Sequence, residues 1–248
     1  MNRILMNNGK KMELNKEIFL DHDLDVSILL DDVTEDLTIT IDKNVNCKIT
    51  LTGENINNNF NIILLDNSFL HIDSFIINNN GNISVSLDGR FSIFELNYSL
   101  IASRDCHVKF DVNHNAPDTK SNIVNSGCSF NNKKLVFDVN GTIEKESSNC
   151  ICNQDSKIIS DNSLNTKIFP NLYIDNNDVE ANHSAYIGSV SDSEMFYLMS
   201  RGISRNEAYK LLVKAFLIGK MQLKEDDNNK ILSLIDEYIG KEDECYES

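Results

Sequence analysis

The chain has 248 residues and a formal net charge of -15, because 38 aspartates and glutamates outnumber 23 lysines and arginines. Such a surface repels a phosphate backbone or an anionic membrane, so nucleic acid is not an expected partner. The apolar runs are only a few residues long, whereas a membrane-spanning helix needs roughly 20, and the N-terminal segment lacks the apolar core of a signal peptide. We therefore expect a soluble cytoplasmic protein without a membrane partner.

The first three quarters of the chain are rich in predicted β-strands. Apolar residues alternate with polar ones, a period typical of half-buried strands, and breakers rich in Asn, Asp and Gly separate the runs and favour tight turns. Strands recurring every 8 to 12 residues or so fit a sandwich, a barrel or a solenoid, so spacing leaves the architecture open. Three clear runs are Leu37, Ile39 and Ile41; Ile83, Val85 and Leu87; and Val108, Phe110 and Val112.

Six cysteines occur without a secretory signal, which predicts free thiols rather than a disulfide framework. Cys150 and Cys152 stand two residues apart in the polar stretch "SSNCICNQDS", so on a strand both point to one face. One such pair is not a strong metal signature, which needs two pairs. The two thiols are therefore either ligand or redox groups or simply two packed side chains. The other four are Cys47, Cys106, Cys128 and Cys245, the last of which we expect to be incidental in a solvated acidic tail.

Helical signals begin after Gly188. Ser191 with Glu194, and Ser204 with Glu207, have the spacing of capping boxes, in which a hydroxyl and a carboxylate bind backbone donors at a helix start. We therefore expect a β domain over residues 1–190 and a helical segment over residues 191–248.

The second predicted helix has a wide apolar surface. At about 100° per residue its apolar arc covers roughly 260°, more than one core-facing stripe requires. Either the third helix or a partner chain is expected to cover the excess. The apolar residues are Ala208, Tyr209, Leu211, Leu212, Val213, Ala215, Phe216 and Leu217, and the third helix carries Ile231, Leu234, Ile235, Tyr238 and Ile239.

Several motifs resemble, in order and spacing, those of the SufB/SufD family, the scaffold subunits of the SUF iron–sulphur cluster assembly machinery. The resemblance covers about residues 105–220, and longer members have an additional N-terminal helical domain that this short chain is expected to lack. The motifs are "HNAPDTKSNIVNSG" (114–127), "NGTI" (140–143), "FPNLYI" (169–174), "DVEANHSAYIGSV" (178–190) and "MFYLMSRGISRNEAYKLLVKAF" (195–216).

The resemblance implies a right-handed parallel β-helix, a solenoid, followed by a short helical C-terminal segment. It also implies pairing with itself or with a second SufB/SufD-like subunit, and docking of a SufC-type ABC ATPase through the C-terminal helices. A phosphate-binding glycine loop is absent from the sequence, so we expect this chain to bind no nucleotide and to be a scaffold rather than an enzyme. The candidate docking residues are Arg201, Tyr209, Leu212, Val213 and Phe216. Gly202 is expected to form a left-handed helix cap.

The resemblance also points to residues that would hold a nascent cluster shared transiently with a partner. His183 is the family histidine at the subunit interface, and a neutral imidazole is an iron ligand. The cluster-building member has a cysteine where this chain has Gln154, or Asp155 if the gap is placed differently, and a glutamate where it has Ser184. On these two criteria the chain is closer to the SufD type.

Nearby thiols are the candidates for the missing cysteine, since clusters are built on thiolates. Cys152 lies one strand period from Gln154 on the same face and would supply a thiolate after a small shift, with Cys150 as a second candidate. His114 is expected to be a turn residue that fixes the loop ahead of Pro117.

A carbohydrate-active or adhesive β-solenoid is the alternative, because parallel β-helices also host enzymes that cleave polysaccharides with clustered acids. Acidic clusters such as "LDHDLD" are present, but they are typical of solvated turns, and the chain has no tryptophan to form a sugar platform.

Overall fold

The computed structural model describes residues 2–7, 10–13, 16–32, 34–160 and 163–243. Most strands pair in parallel with the strand one turn later in the chain, in two sheets joined by the long strand β8 (Phe69–Leu87). This arrangement is a β-solenoid, as the resemblance implied, and it excludes the sandwich and barrel that strand spacing had left open.

Sheet A and sheet B form the two walls of the solenoid. Sheet A contains, in spatial order, β2 (Lys10–Glu13), β1 (Asn2–Asn7), β4 (Leu24–Asp31), β6 (Asn46–Ile56), the first half of β8, β9 (Ile93–Ala102), β11 (Lys120–Ser129), β13 (Cys150–Ser160) and β15 (Val179–Gly188). Sheet B contains β3 (Glu17–Leu20), β5 (Leu37–Ile41), β7 (Phe60–Leu64), the second half of β8, β10 (Cys106–His114), β12 (Leu135–Ile143) and β14 (Thr166–Ile174). A short 3₁₀ helix (Ser163–Asn165) precedes β14.

The length of one turn sets which residues stack on one another. The turn from Leu24 to its register partner Cys47 contains fewer residues than the turn from Lys120 to its register partner Ile151. Because paired residues of parallel strands point the same way, inner residues stack on inner residues along the whole solenoid. Tyr98, Phe110 and Phe137 meet edge to face in this interior, with ring centroids 5.1 to 6.2 Å apart.

Asparagine and aspartate form the corners between the two sheets. Asn44, Asn67, Asp118 and Asn149 have positive φ angles, which these side chains tolerate better than most. Their side chains also bond from turn to turn, as between Asn67 Nδ2 and Asn44 Oδ1 at 3.3 Å and between Asn149 Nδ2 and Asp118 Oδ1 at 2.6 Å. The turns predicted from the Asn-rich and Asp-rich breakers are thus confirmed, and the solenoid continues through them.

Three helices follow the last strand: α1 (Asp192–Ser200), α2 (Arg205–Ile218) and α3 (Glu225–Asp243). Ser191 and Ser204 are the N-caps of α1 and α2, and the complete capping box with Glu207 forms at α2. Gly202 has φ +88 and donates to the carbonyl of Met199, so the predicted left-handed cap is confirmed. The tail from residue 244 onward, with Cys245, lies outside the described residues.

Helices α2 and α3 pack on the outer face of sheet A. Their apolar stripes and the outward side chains of the central strands form one buried cluster, so sheet A and α3 cover much of the wide apolar arc of α2. The cluster contains Phe75, Ile77, Ile101, Cys128, Phe130 and Ile159 from the sheet, Val213 and Leu217 from α2, and Ile231, Ile235 and Ile239 from α3.

A buried polar network holds the connector between α2 and α3 (residues 219–224) against the sheet. Asp73 on β8 is fully buried and accepts from the backbone N of Gln222 at 2.9 Å and from Asn97 Nδ2 at 2.8 Å. His71 Nε2 lies 3.1 Å from Asp73 Oδ1, and His71 Nδ1 lies 3.0 Å from Glu95 Oε2. The contact with Asp73 raises the pKa of His71, burial opposes this, and the contact with Glu95 raises it further.

This network predicts a pH dependence of stability. The folded state raises the pKa of His71. The stabilisation that His71 contributes is therefore fully present below the ordinary histidine pKa of about 6.5 and is lost as pH rises through the folded-state pKa. At about pH 6 we expect His71→Gln to lower the free energy of unfolding by about 2 kcal/mol, and the difference should shrink by about pH 8.5. Urea unfolding at both pH values measures this, with the exposed His107→Gln as control. A difference that does not change with pH would contradict the role of the imidazolium.

Candidate functional site

The candidate site is the C-terminal end of the solenoid, formed by β14 and β15, which we call the open end. Within the described part of the chain, β14 pairs with β12 and β15 pairs with β13, and neither has a strand on its other edge. The free edges carry backbone donors and acceptors that a further strand would bind.

The inner faces of these two strands reach solvent. By register they continue the buried inner rows of β12 and β13, but within the described residues no later turn covers them. The rows are Ile168, Pro170, Leu172 and Ile174 on β14, and Val179, Ala181, His183, Ala185 and Ile187 on β15. Ile174, for example, is 42% exposed. Solenoids need a polar cap where they end in water, so an apolar end of this kind suits a protein partner.

His183 stands in the middle of the inner row of β15 and is exposed. Its register partner on β13 is Gln154, which is buried and donates from Nε2 to the carbonyl of Asn171 at 3.4 Å. Gln154 Oε1 has no hydrogen-bond partner among the described residues. The histidine is therefore presented at the open end with a buried amide directly beneath it.

Cys150 and Cys152 share the inner face of β13, as the strand interpretation predicted, and both are buried. Cys152 lies over Gly141 of β12, where an added Cβ would come within 2.7 Å of the cysteine sulphur. This contact explains why a glycine stands in the "NGTI" motif. Burial raises the pKa of the Cys152 thiol, although a hydrogen bond with Ser121 opposes the shift.

Cys152 and His183, the predicted iron ligands, lie on neighbouring strands of sheet A. Cys152 pairs with Ala181, two residues from His183, so the two Cα atoms are roughly 8 Å apart, given about 4.8 Å between strands and about 3.3 Å per residue. This separation is within the combined reach of a cysteine and a histidine side chain and two metal–ligand bonds of about 2 to 2.3 Å, so a shared iron stays a prediction. Among the described residues, no three His, Cys, Asp or Glu side chains form a group able to hold a metal ion.

The prediction that His114 is a turn residue is wrong. It is the last residue of β10 and is fully buried inside the solenoid, where Nδ1 lies 2.7 Å from Thr119 Oγ1 and Nε2 lies 2.8 Å from Ser121 Oγ. Thr119 also contacts Cys150 Sγ at 3.1 Å. Burial lowers the pKa of His114 to about 4, so the imidazole is neutral and links two strands of the interior.

Ser184, one departure from the family pattern, faces Asp155, the alternative position of the missing cysteine, on the outer face of sheet A. Asp155, rather than Gln154, is the register partner of Ser184, and Ser184 Oγ donates to Asp155 Oδ1 at 2.5 Å. Burial would raise the pKa of Asp155, but hydrogen bonds from Ser184 and Lys220 and the charge of Lys157 together lower it. A carboxylate and a hydroxyl thus form a bonded pair next to His183.

The predicted docking residues lie in different environments. Val213 is fully buried on sheet A and is not available to a second protein, because it belongs to the stripe that packs α2 on the solenoid. Tyr209 and Phe216 are partly buried against the same cluster. Leu212 and Phe216 line a groove of about 490 Å³ between α1, α2 and the outer face of β15. Arg201 is exposed, with its guanidinium 5.3 Å from the ring centre of Tyr197.

The exposed apolar surface of the helical segment is mainly on α1, which sequence reasoning missed. On α1, Phe196 is 75% exposed, and Tyr197 and Met199 are also exposed. On α2, Leu211 is exposed. The available signal was the unbroken apolar run "MFYLM", because five consecutive apolar residues cannot all face one core on a helix. We call Phe196, Tyr197, Met199 and Leu211 the helical patch.

The five cysteines within the described residues are free and buried. None of the described helices is long and apolar enough to cross a membrane.

A family model described as the SufBD core domain of the SUF system for FeS cluster assembly matches residues 70–216, more than half of the chain. The chain belongs to the SufBD family. The SufBD match begins well upstream of residue 105. It therefore includes strands in which the sequence showed only an apolar alternation compatible with the family fold. It also includes the open end, α1 and most of α2.

Curated relatives agree with the SufBD assignment. Iron-sulfur cluster assembly SufBD family proteins of Staphylococcus haemolyticus, Staphylococcus epidermidis and Staphylococcus aureus are each 33% identical to it over 110 residues. The match covers 42% of this chain and 23% of each relative, so it spans less than a quarter of those proteins. Membership of SufBD favours a role in iron–sulphur cluster assembly over a carbohydrate-active or adhesive solenoid.

Proposed function

We propose that this chain is a scaffold subunit of a SUF-type iron–sulphur cluster assembly complex and that it is not itself an enzyme. The observation that carries the proposal is a solenoid end that no later described strand covers, with an exposed His183 on its last strand, inside the part of the chain that matches the SufBD core domain. The nascent cluster is the cargo of this complex, held transiently and shared with a partner. The proposed location of the complex is the cytoplasm.

The proposed first partner is a SufBD-like subunit, either a second copy of this chain or a different one. The apolar inner rows and the free strand edges support pairing at the open end, because a partner there would bury the rows and bind the edges. Pairing would place His183 at the seam between the subunits. Ser184 stands where the family pattern has a glutamate, and Gln154, or Asp155 if the gap is placed differently, stands where it has a cysteine. The cluster-binding thiolate is therefore proposed to come from the partner or from a shifted Cys152.

The proposed second partner is a SufC-type ABC ATPase docked on the helical segment. The helical patch and the groove lined by Leu212 and Phe216 supply exposed apolar surface on the helical segment, and surfaces of this kind mark protein contacts. Because the sequence contains no phosphate-binding glycine loop, the ATPase would supply the nucleotide chemistry.

Anaerobic reconstitution tests the assembly role. The chain is purified with a SufC-type ATPase and its SufBD partner, supplied with iron and sulphide, and followed by visible absorption. We expect His183→Ala to reduce cluster yield by about tenfold, the size of loss typical when a metal site is perturbed. His107→Ala, on the exposed face of β10, is the control. Full cluster yield from the His183 variant would refute the role of His183, and no cluster with the intact complex together with no effect of His183→Ala would refute the assembly role.

A further inference from the structure

One carboxylate on the outer face of β13 contacts both the helical segment and the last strand. Asp155 Oδ1 accepts from Ser184 Oγ at 2.5 Å, and Asp155 Oδ2 accepts from Lys220 Nζ at 3.2 Å. Lys220 directly follows Gly219, the C-cap of α2, and Ser184 directly follows His183. Asp155 therefore lies between the end of α2 and the strand that carries His183.

This contact differs from the other attachments of the connector. Its remaining polar contacts reach β4, β6, β8 and β9, all of them farther from the open end. Of the described polar contacts, the bond from Lys220 to Asp155 is the one that reaches the last pair of strands in sheet A.

The electrostatics suit a contact that breaks and re-forms. Lys157 Nζ also lies 3.4 Å from Asp155 Oδ2, so loss of Lys220 leaves the carboxylate next to another cation. The side chain of Lys220 is 59% exposed, and exposed ion pairs of this kind are weak because water and salt screen them.

We propose that Asp155 is a positioning residue that couples the end of α2 to the strand carrying His183. The coupling itself is a property of the isolated chain. Its role in transmitting ATPase docking to His183 rests on the proposed function. An ATPase docked on the helical patch that shifts α2 would pull Lys220 away from Asp155. Asp155 would then be left with Lys157 as its cationic partner, which would change its bond to Ser184 and the conformation of β15 at His183.

Hydrogen exchange on the full, isolated chain tests the coupling. We expect Lys220→Met to speed exchange of the β15 amides by about threefold, the effect of losing one exposed ion pair. Lys220→Arg keeps the cation and should restore the wild-type rate. The matched control is Lys224→Met, which removes an ion pair from the same connector to Asp25 on β4 and should leave β15 exchange unchanged. Circular dichroism confirms that each variant is folded.

A double-mutant cycle separates coupling from two independent local effects. Lys220 and Ser184 share Asp155, so the effects of Lys220→Met and Ser184→Ala on β15 exchange should be non-additive, and they should become additive when Asp155→Ala is present. The NMR signals of the His183 ring should move in Lys220→Met and return in Lys220→Arg. Unchanged β15 exchange in Lys220→Met, an equal effect of Lys224→Met, or additivity with Asp155 intact would overturn the coupling. None of these measurements uses iron or the ATPase, so failure here leaves the assembly role standing.

Discussion

Val213→Asp will detach α2 from the solenoid, whereas Leu211→Asp will leave the fold intact. Val213 is fully buried between α2 and the outer face of sheet A, and an unpaired carboxylate there costs several kcal/mol. We expect Val213→Asp to lower the free energy of unfolding by about 4 kcal/mol. Leu211 is 48% exposed, so Leu211→Asp should change stability by less than about 0.5 kcal/mol.

The two variants are compared first by urea unfolding and then by binding to a SufC-type ATPase. Leu211→Asp should weaken binding by more than about tenfold, as expected for a residue in an apolar contact, while its unfolding curve matches the wild type. Val213→Asp should also lose binding, but through loss of helix packing. A destabilised Leu211→Asp, or a Val213→Asp with wild-type stability, would show that the burial pattern of α2 is wrong. Normal binding by a stable Leu211→Asp would instead exclude the helical patch as the docking surface.

The stability of the protein will fall in mild acid because His114 is held neutral. Burial lowers its folded pKa to about 4, while the unfolded chain binds a proton near the ordinary value of about 6.5. Protons therefore favour the unfolded state between these values, and the loss of stability reaches about 2 kcal/mol at about pH 5 and about 3 kcal/mol at about pH 4. His71 has the opposite shift, but its contribution is already present below about pH 6.5, so it adds little to the slope in this range.

The contribution of His114 is measured by comparing the wild type with His114→Gln between about pH 6.5 and pH 5, above the range in which most carboxylates titrate. Glutamine carries no titrating group, so the variant should lose less stability on acidification than the wild type does. His107→Gln, at an exposed position, should keep the wild-type slope. Equal slopes for the wild type and His114→Gln would mean that His114 is not buried as a neutral group.

The local elements of the fold followed closely from the sequence. Alternation at Leu37, Ile39 and Ile41 predicted a strand, and these residues are buried on one face of β5. The Asn-rich breakers predicted turns, and Asn55 and Asn78 within them have positive φ angles. Ser204 with Glu207 predicted a helix start, and both capping bonds are present. These predictions succeeded because period, turn and cap depend on residues close together in the chain.

The candidate site was predicted less completely. His183 came from the family motifs and lies exposed at the open end, and Cys150 and Cys152 share a face as their spacing required. The apolar surface of α1 and the interior position of His114 were missed. For His114, the partners Thr119 and Ser121 lie on the far side of a turn, so its neighbour Pro117 suggested a loop instead.

By itself, the sequence determined the strand and helix types, the Asn-rich turns, the capped helices and the family, because these depend on local periodicity and on motifs in fixed order. Only the tertiary structure decided which part of the α2 arc meets sheet A, and that Asp155 rather than Gln154 lies opposite Ser184. The physical reason is the same in both cases. Contacts between neighbouring turns of a solenoid depend on register, and register follows from the lengths of all the corners together rather than from any one stretch of sequence.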